Sequence, residues 1–178
     1  MAWNLTKTAV QVVIMWSTAL WLVPLAIVAI EAWLGLDGFW FTLPFRTAGV
    51  VFVLLSAVGL WAGATMAIHG NGTPLPFDTA RRLVIRGPYR FMRNPMAITG
   101  VGQAMAVGFM LGSLSVVAYA LTGGILWHFI IRPPEERELL DRFGEPYRRY
   151  REQVPLWRIR LRAYQPGTAE AARATMAP

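Results

Sequence analysis

The residue types able to do chemistry gather in two short polar segments. The first is Gly87-Pro88-Tyr89-Arg90-Phe91-Met92-Arg93-Asn94-Pro95-Met96. The second runs from His128 to Pro155 and holds Glu135, Glu136, Leu139, Tyr147 and Tyr150. An arginine grips a carboxylate through two parallel hydrogen bonds. An ionised glutamate accepts from hydroxyl or ammonium donors, and a tyrosine face attracts cations. Binding and aligning a charged ligand is the chemistry these groups suit. The chain has no cysteine, which removes thiolate nucleophiles, disulfides and Cys-bound zinc or iron–sulfur centres. His69 and His128 are its two imidazoles. Two histidines make a poor metal site, so no metal is expected. His128 lies within an apolar stretch, where a polar residue is a functional candidate by default.

The two segments flank an apolar block of 36 residues, Met96 to Ile131. One helix of that length would reach about 54 Å at 1.5 Å per residue, beyond a hydrocarbon core of about 30 Å. Two short helices turning near Gly112-Ser113 fit better. An antiparallel pair brings both polar segments to one membrane face. Two more apolar stretches precede them, near 10–30 and 47–68. Pro24 is expected to kink the first. That stretch is too long for the apolar region of a signal peptide, so a retained helix is expected. Residues 31–46 read as a loop with Trp40 and Phe41 at the membrane interface. Residues 69–95 read as a polar loop with irregular or short strand-like stretches, broken by glycine and proline. Pro133 and Pro134 end the last apolar block. Beyond them Leu139, Leu140, Phe143, Tyr147, Tyr150 and Val154 recur at helical spacing on one amphipathic face, with Gly144 as a break.

These patterns predict an all-α, polytopic membrane protein of about four transmembrane helices with a C-terminal amphipathic helical segment. One domain covers 1–165, with spans near 10–30, 47–68, 96–112 and 114–131, and 166–178 is a flexible tail. Composition agrees: 55% of the 178 residues are hydrophobic and 15% charged, and mean hydropathy is +0.41. Soluble domains carry about 25% charged residues. The net charge of +7 sits beside apolar spans, so it marks orientation and no nucleic-acid partner is expected. Five arginines lie between the second and third spans and nine between Arg132 and Arg162. Four spans put all of them on one side. By the positive-inside rule that side, with both termini and the site, is cytoplasmic. Arg81, Arg82, Arg86 and the arginines after Arg148 read as orientation charges at lipid headgroups. The Leu139, Phe143 and Tyr147 stripe also suits plain packing, and Pro95 a helix start.

The sequence resembles the isoprenylcysteine carboxyl methyltransferase and phospholipid methyltransferase group of membrane enzymes, its bacterial members most of all. The resemblance rests on Gly72-Thr73-Pro74, Gly87-Pro88-Tyr89-Arg90 and Arg93-Asn94-Pro95-Met96, then Glu135-Glu136, Leu139, Phe143-Gly144, Tyr147, Tyr150 and Val154-Pro155. It covers about residues 45–158. It implies S-adenosylmethionine as methyl donor, an acceptor arriving from the bilayer, and a location in the bacterial inner membrane. Carried over onto this chain, the implied cofactor-binding residues are Tyr89, Arg93, Asn94, Pro95, Met96, His128, Glu135, Glu136, Leu139, Tyr147 and Tyr150. Glu136 is the first candidate for an essential residue, followed by Arg93, Asn94 and His128; Glu136, His128 and Arg93 form the expected catalytic set. Where eukaryotic carboxyl methyltransferases have an arginine before the Val-Pro pair, this chain has Gln153.

The implied function is methyl transfer to an amphipathic acceptor, first of all the carboxylate of an isoprenylcysteine-like molecule. A phospholipid or a small-molecule amine or thiol is the alternative acceptor, and a non-catalytic lipid-binding protein the alternative of another class. Methyl transfer is an in-line displacement, so alignment and exclusion of water can carry much of the catalysis. A carboxylate acceptor needs no base. An amine or thiol must lose a proton, with His128 or Glu136 as candidates.

Overall fold

The structure, a computed structural model, describes residues 2–36, 45–70 and 81–166. Every regular element among them is helical. Helix α1 (Ala2–Ser17) passes through a π-helical turn at Thr18–Leu22 into α2 (Val23–Trp33). Pro24 stands in the first turn of α2. A proline lacks the N–H and its ring crowds the preceding turn. A wider π turn just upstream gives that ring room. Helix α3 is Phe45–His69. A 3-10 turn at Gly87–Arg90 leads to α4 (Pro95–Leu111) and α5 (Leu114–Leu126). A second π turn, Trp127–Ile131, runs on into α6 (Arg132–Phe143), and α7 is Glu145–Gln153.

Three stretches are long and apolar enough to cross a membrane: Val13–Trp33, Phe45–His69 and Leu114–Phe143. The expected fourth span, α4, has 17 residues and a rise of about 25 Å, at the short end for crossing. It packs between α3 and α5 and also touches the first π turn and α2. Large apolar side chains such as Val53, Leu54, Leu60, Ile125 and Leu126 are exposed on these helices. A lipid surrounding matches them, and the helices satisfy their own backbone groups. This is a multi-pass integral membrane architecture.

The helix ends follow from local chemistry. Asn94 Oδ1 accepts from the Ala97 N–H at 3.0 Å, and Pro95 fills the first helical position of α4. At the other end Gly112 takes a left-handed φ of +63°, and Ser113 Oγ accepts from the Val116 N–H at 3.1 Å to start α5. The turn at Gly112-Ser113 is thus where the sequence places it. The α4–α5 pair is close: a Cβ at Gly108 would lie 2.7 Å from Val117 Cγ2. Between α3 and α4, fully buried Gln103 donates to Ser56 Oγ at 2.7 Å. Such polar links join helices inside the bilayer.

Two expectations differ from the structure. Pro133 and Pro134 close the apolar block and stand in the first turn of α6, as expected, but the span does not stop before them, because the π turn leads directly into α6. The helical path is therefore continuous from Leu114 to Phe143. Gly144 does separate α6 from α7, with φ +58°. The loop after α3 shows no strand among the described residues, only the 3-10 turn. Gly72-Thr73-Pro74, the loop aromatics Trp40 and Phe41, and the tail from 167 onward lie outside the described residues.

Candidate active site

The two polar motifs meet because the chain after α7 folds back along the segment before α4. The Arg93 N–H donates to the Pro155 carbonyl at 3.0 Å, the Arg160 N–H to Phe91 at 2.9 Å and the Tyr164 N–H to Arg90 at 2.9 Å. Arg90 Nε returns a bond to the Tyr164 carbonyl at 2.8 Å. Beneath this seam Tyr147, Tyr150, Val154, Ile85 and Tyr164 form a core, with Leu139, Leu140 and Phe143 against it. The Tyr150 hydroxyl donates to the Tyr89 carbonyl at 2.6 Å. The amphipathic face read from the sequence is what builds this core.

On that base stands a charge cluster. Arg93 of the first motif is ion-paired with Glu136 of the second. Arg132, only 4% exposed, donates to Glu136 Oε1 through Nη2 at 2.8 Å and Nε at 3.1 Å. It also lies 3.3 Å from Glu135 Oε2 and donates to the Tyr147 hydroxyl at 3.0 Å. Arg151 Nη1 stands 3.7 Å from Glu136 Oε2. Arg93 Nε is buried with no hydrogen-bond partner among the described residues. Burial raises the Tyr147 phenol above its usual range although the Arg132 guanidinium pulls the other way. Burial also holds Tyr89 and Tyr150 well above the phenol range. All three phenols therefore act as neutral hydroxyls.

Two cavities adjoin the cluster. A polar one of about 410 Å³ is lined by Arg93, His128, Arg132, Glu136, Arg137 and Arg151, among others. An apolar one of about 300 Å³ reaches between α1, its π turn, α4 and α5; Trp16, Leu20, Met96, Gly100, Gly123 and Trp127 lie on it. Asn94 and Glu135 border this second cavity. Neighbouring residues of each motif thus serve different cavities: Arg93 and Glu136 the polar one, Asn94 and Glu135 the apolar one. His128 Nδ1 accepts from the Trp157 indole N–H at 3.1 Å. Acceptance at Nδ1 leaves the ring proton on Nε2.

Of the residues expected at the site, Arg93, Asn94, Met96, His128, Glu135 and Glu136 line one cavity or the other. Tyr147 lies under the cluster as a partner of Arg132. Tyr89, Pro95, Leu139 and Tyr150 line neither of these cavities; Pro95, Tyr89 and Tyr150 are buried, and Leu139 packs on the core that holds Tyr147 and Tyr150. Sequence reasoning missed Arg132, counted only as an orientation charge. Its signal was its place three and four residues before Glu135 and Glu136, the spacing of ion pairs on one helix face. It also missed Trp157, which no sequence spacing ties to His128, and the wall supplied by α1.

A family model described as phospholipid methyltransferase matches residues 45–146. The chain belongs to the phospholipid methyltransferase family. The match takes in α3 to α6, both acidic residues and the Arg93-Asn94 motif. In this member of the phospholipid methyltransferase family, α1, α2 and the segment after α7 lie outside the matched stretch. Among curated proteins, the cobalt-zinc-cadmium resistance protein CzcN of Cupriavidus metallidurans is 30% identical over 131 residues, which is 72% of this chain and 56% of that protein. The chain thus spans little more than half the length of that relative. No solved structure matches it. Among the described residues no group of three histidines, aspartates or glutamates is placed to hold a metal ion.

Proposed function

We propose that the protein transfers the methyl group of S-adenosylmethionine to an amphipathic acceptor at the membrane surface. The observation that carries this reading is the meeting of Arg93 and Glu136, from motifs 43 residues apart in sequence, between a polar cavity and an apolar one. The donor set fits the cofactor. Arg137 and Arg151 offer cationic partners for its carboxylate. Glu136 accepts from its ammonium or hydroxyls, and the unpaired Arg93 Nε supplies a further donor. When bound, the cofactor supplies an electrophilic methyl group. The protein's part is to hold the two reactants in line and exclude water between them. The apolar cavity receives the acceptor's hydrocarbon end from the bilayer, with Asn94 and Glu135 near its reactive group.

The favoured acceptor is an isoprenylcysteine-like carboxylate. It needs no base, and the arginine-rich wall of the polar cavity suits it. A second reading, an amine acceptor such as a phospholipid headgroup, is favoured by Glu135 on the apolar cavity, since a carboxylate attracts an ammonium. The proton lost from an amine would then pass to Glu135 or Glu136, because His128 Nδ1 is already engaged by Trp157. The positive-inside rule sets the site and both termini in the cytoplasm, with residues 1–165 as a single domain.

Methyl transfer from labelled S-adenosylmethionine by purified protein in lipid tests the reading. A prenylated cysteine analogue and phosphatidylethanolamine are offered in parallel. Base-labile label in the first establishes a methyl ester. Base-stable label in the second moves the assignment to amines. No transfer to either, with no cofactor bound, removes the methyltransferase reading.

A further inference from the structure

The chain after α7 reads Leu156-Trp157-Arg158-Ile159-Arg160-Leu161-Arg162, a non-helical alternation of apolar and basic residues. Trp157, Ile159 and Leu161 are 40%, 65% and 96% exposed. Arg158 and Arg162 are exposed as well. The segment is nonetheless fixed, by the main-chain bonds of Arg160 and Tyr164 to Phe91 and Arg90. Trp157 also packs edge-on against Trp127, with 5.7 Å between ring centroids. These ties hold it at the end of the bundle where α4 begins and α5 enters its π turn. Exposed Phe129 and Ile130 continue the apolar surface on that turn. Exposed Arg81 and Arg82 add charge where α3 ends, their N–H groups bonded to the Gly70 carbonyl.

Fixed apolar side chains facing water are unfavourable and mark an interaction surface. Arginine stems lie along apolar surface while their heads reach for polar partners. A bilayer surface meets both demands at once, with acyl chains for the apolar residues and phosphates for the guanidinium groups. We propose that residues 156–162 form a strap that docks on anionic phospholipid headgroups of the bilayer the chain spans. The charge is complementary: the strap has three arginines and no acid. The strap borders the site through Trp157 and His128, so headgroup docking holds that wall of the polar cavity in place. The docking is independent of which group the site methylates.

The absence of native cysteines lets Leu161→Cys in the full chain provide one labelling position. A polarity-sensitive dye there is read in vesicles of phosphatidylcholine alone and with phosphatidylglycerol added. Its emission is expected to shift to the blue, and to be quenched by brominated acyl chains, when the anionic lipid is present. The shift should shrink as salt rises, because exposed charges are screened. Arg158→Gln combined with Arg162→Gln, both at exposed positions, should abolish the response while circular dichroism stays unchanged. Equal signals in neutral and anionic vesicles, no shift in either, or a full response in the double variant would each overturn the proposal.

Discussion

Glu136 faces three guanidinium groups, those of Arg93, Arg132 and Arg151. Glu136→Gln keeps the shape but leaves Arg132, nearly enclosed, with Glu135 as its one remaining anion. Losing one partner of a buried pair costs about 3–5 kcal/mol, so denaturation in detergent should begin much earlier. Arg142→Gln touches an exposed pair with Glu138 and should change stability by about 0–1 kcal/mol. Equal effects would mean that the cluster is no better sheltered than the surface. The buried phenols add a pH dependence. Tyr89 and Tyr150 have folded pKa values raised above the usual 10.0. Their contribution is complete below that value and is lost as pH rises beyond it, because the unfolded chain then ionises first. Phenolate absorbance should show these tyrosines titrating only together with alkaline unfolding. Arg93, Glu135 and Glu136 were legible in the sequence because their motifs are local. Arg132 was hidden among fourteen similar charges by the same composition that reveals the membrane topology.

At the scale of elements, the two π turns do what an α-helix cannot. Thr18–Leu22 and Trp127–Ile131 each contribute to the apolar cavity, through Ala19, Leu20 and Trp127. The second also sets the rotation of α6 relative to α5. Inserting one alanine between Leu126 and Trp127, with the π turn kept, should turn α6 by about 100°. That would carry Arg132, Glu135 and Glu136 away from Arg93. Cofactor binding should disappear while the helical content and the membrane insertion remain. Retained binding would show that the register of α6 is not what positions the acids. Apolar periodicity and length made the four long apolar segments readable, and the Gly112-Ser113 hairpin followed from thickness alone. The π turns were not readable, since one extra residue per turn leaves no mark in an apolar run. The continuity through Pro133 and Pro134 depended on that same turn.

In the whole molecule the site lies at a boundary, with charged groups toward one cavity and an apolar wall toward the bilayer. The return of the chain after α7 closes it, a long-range contact that no local pattern announces. Gly123 lines the apolar cavity and a Cβ there meets nothing within 4 Å. Gly123→Leu should fill that space, raise the KM for a lipid acceptor and leave cofactor affinity alone. Stability should stay level or rise by about 0.5–1 kcal/mol, as for a helical glycine replaced. A lost cofactor affinity would mean that the cofactor, not the acceptor, uses this cavity. The central claim is that Arg93 and Glu136 build a cofactor site, and equilibrium binding of labelled S-adenosylmethionine to the protein in lipid tests it most directly. The wild-type chain should bind saturably, and Glu136→Gln or Arg93→Gln should weaken binding at least about tenfold, roughly 1.4 kcal/mol. Absence of binding to the wild-type chain, or equal binding by both variants, would contradict it.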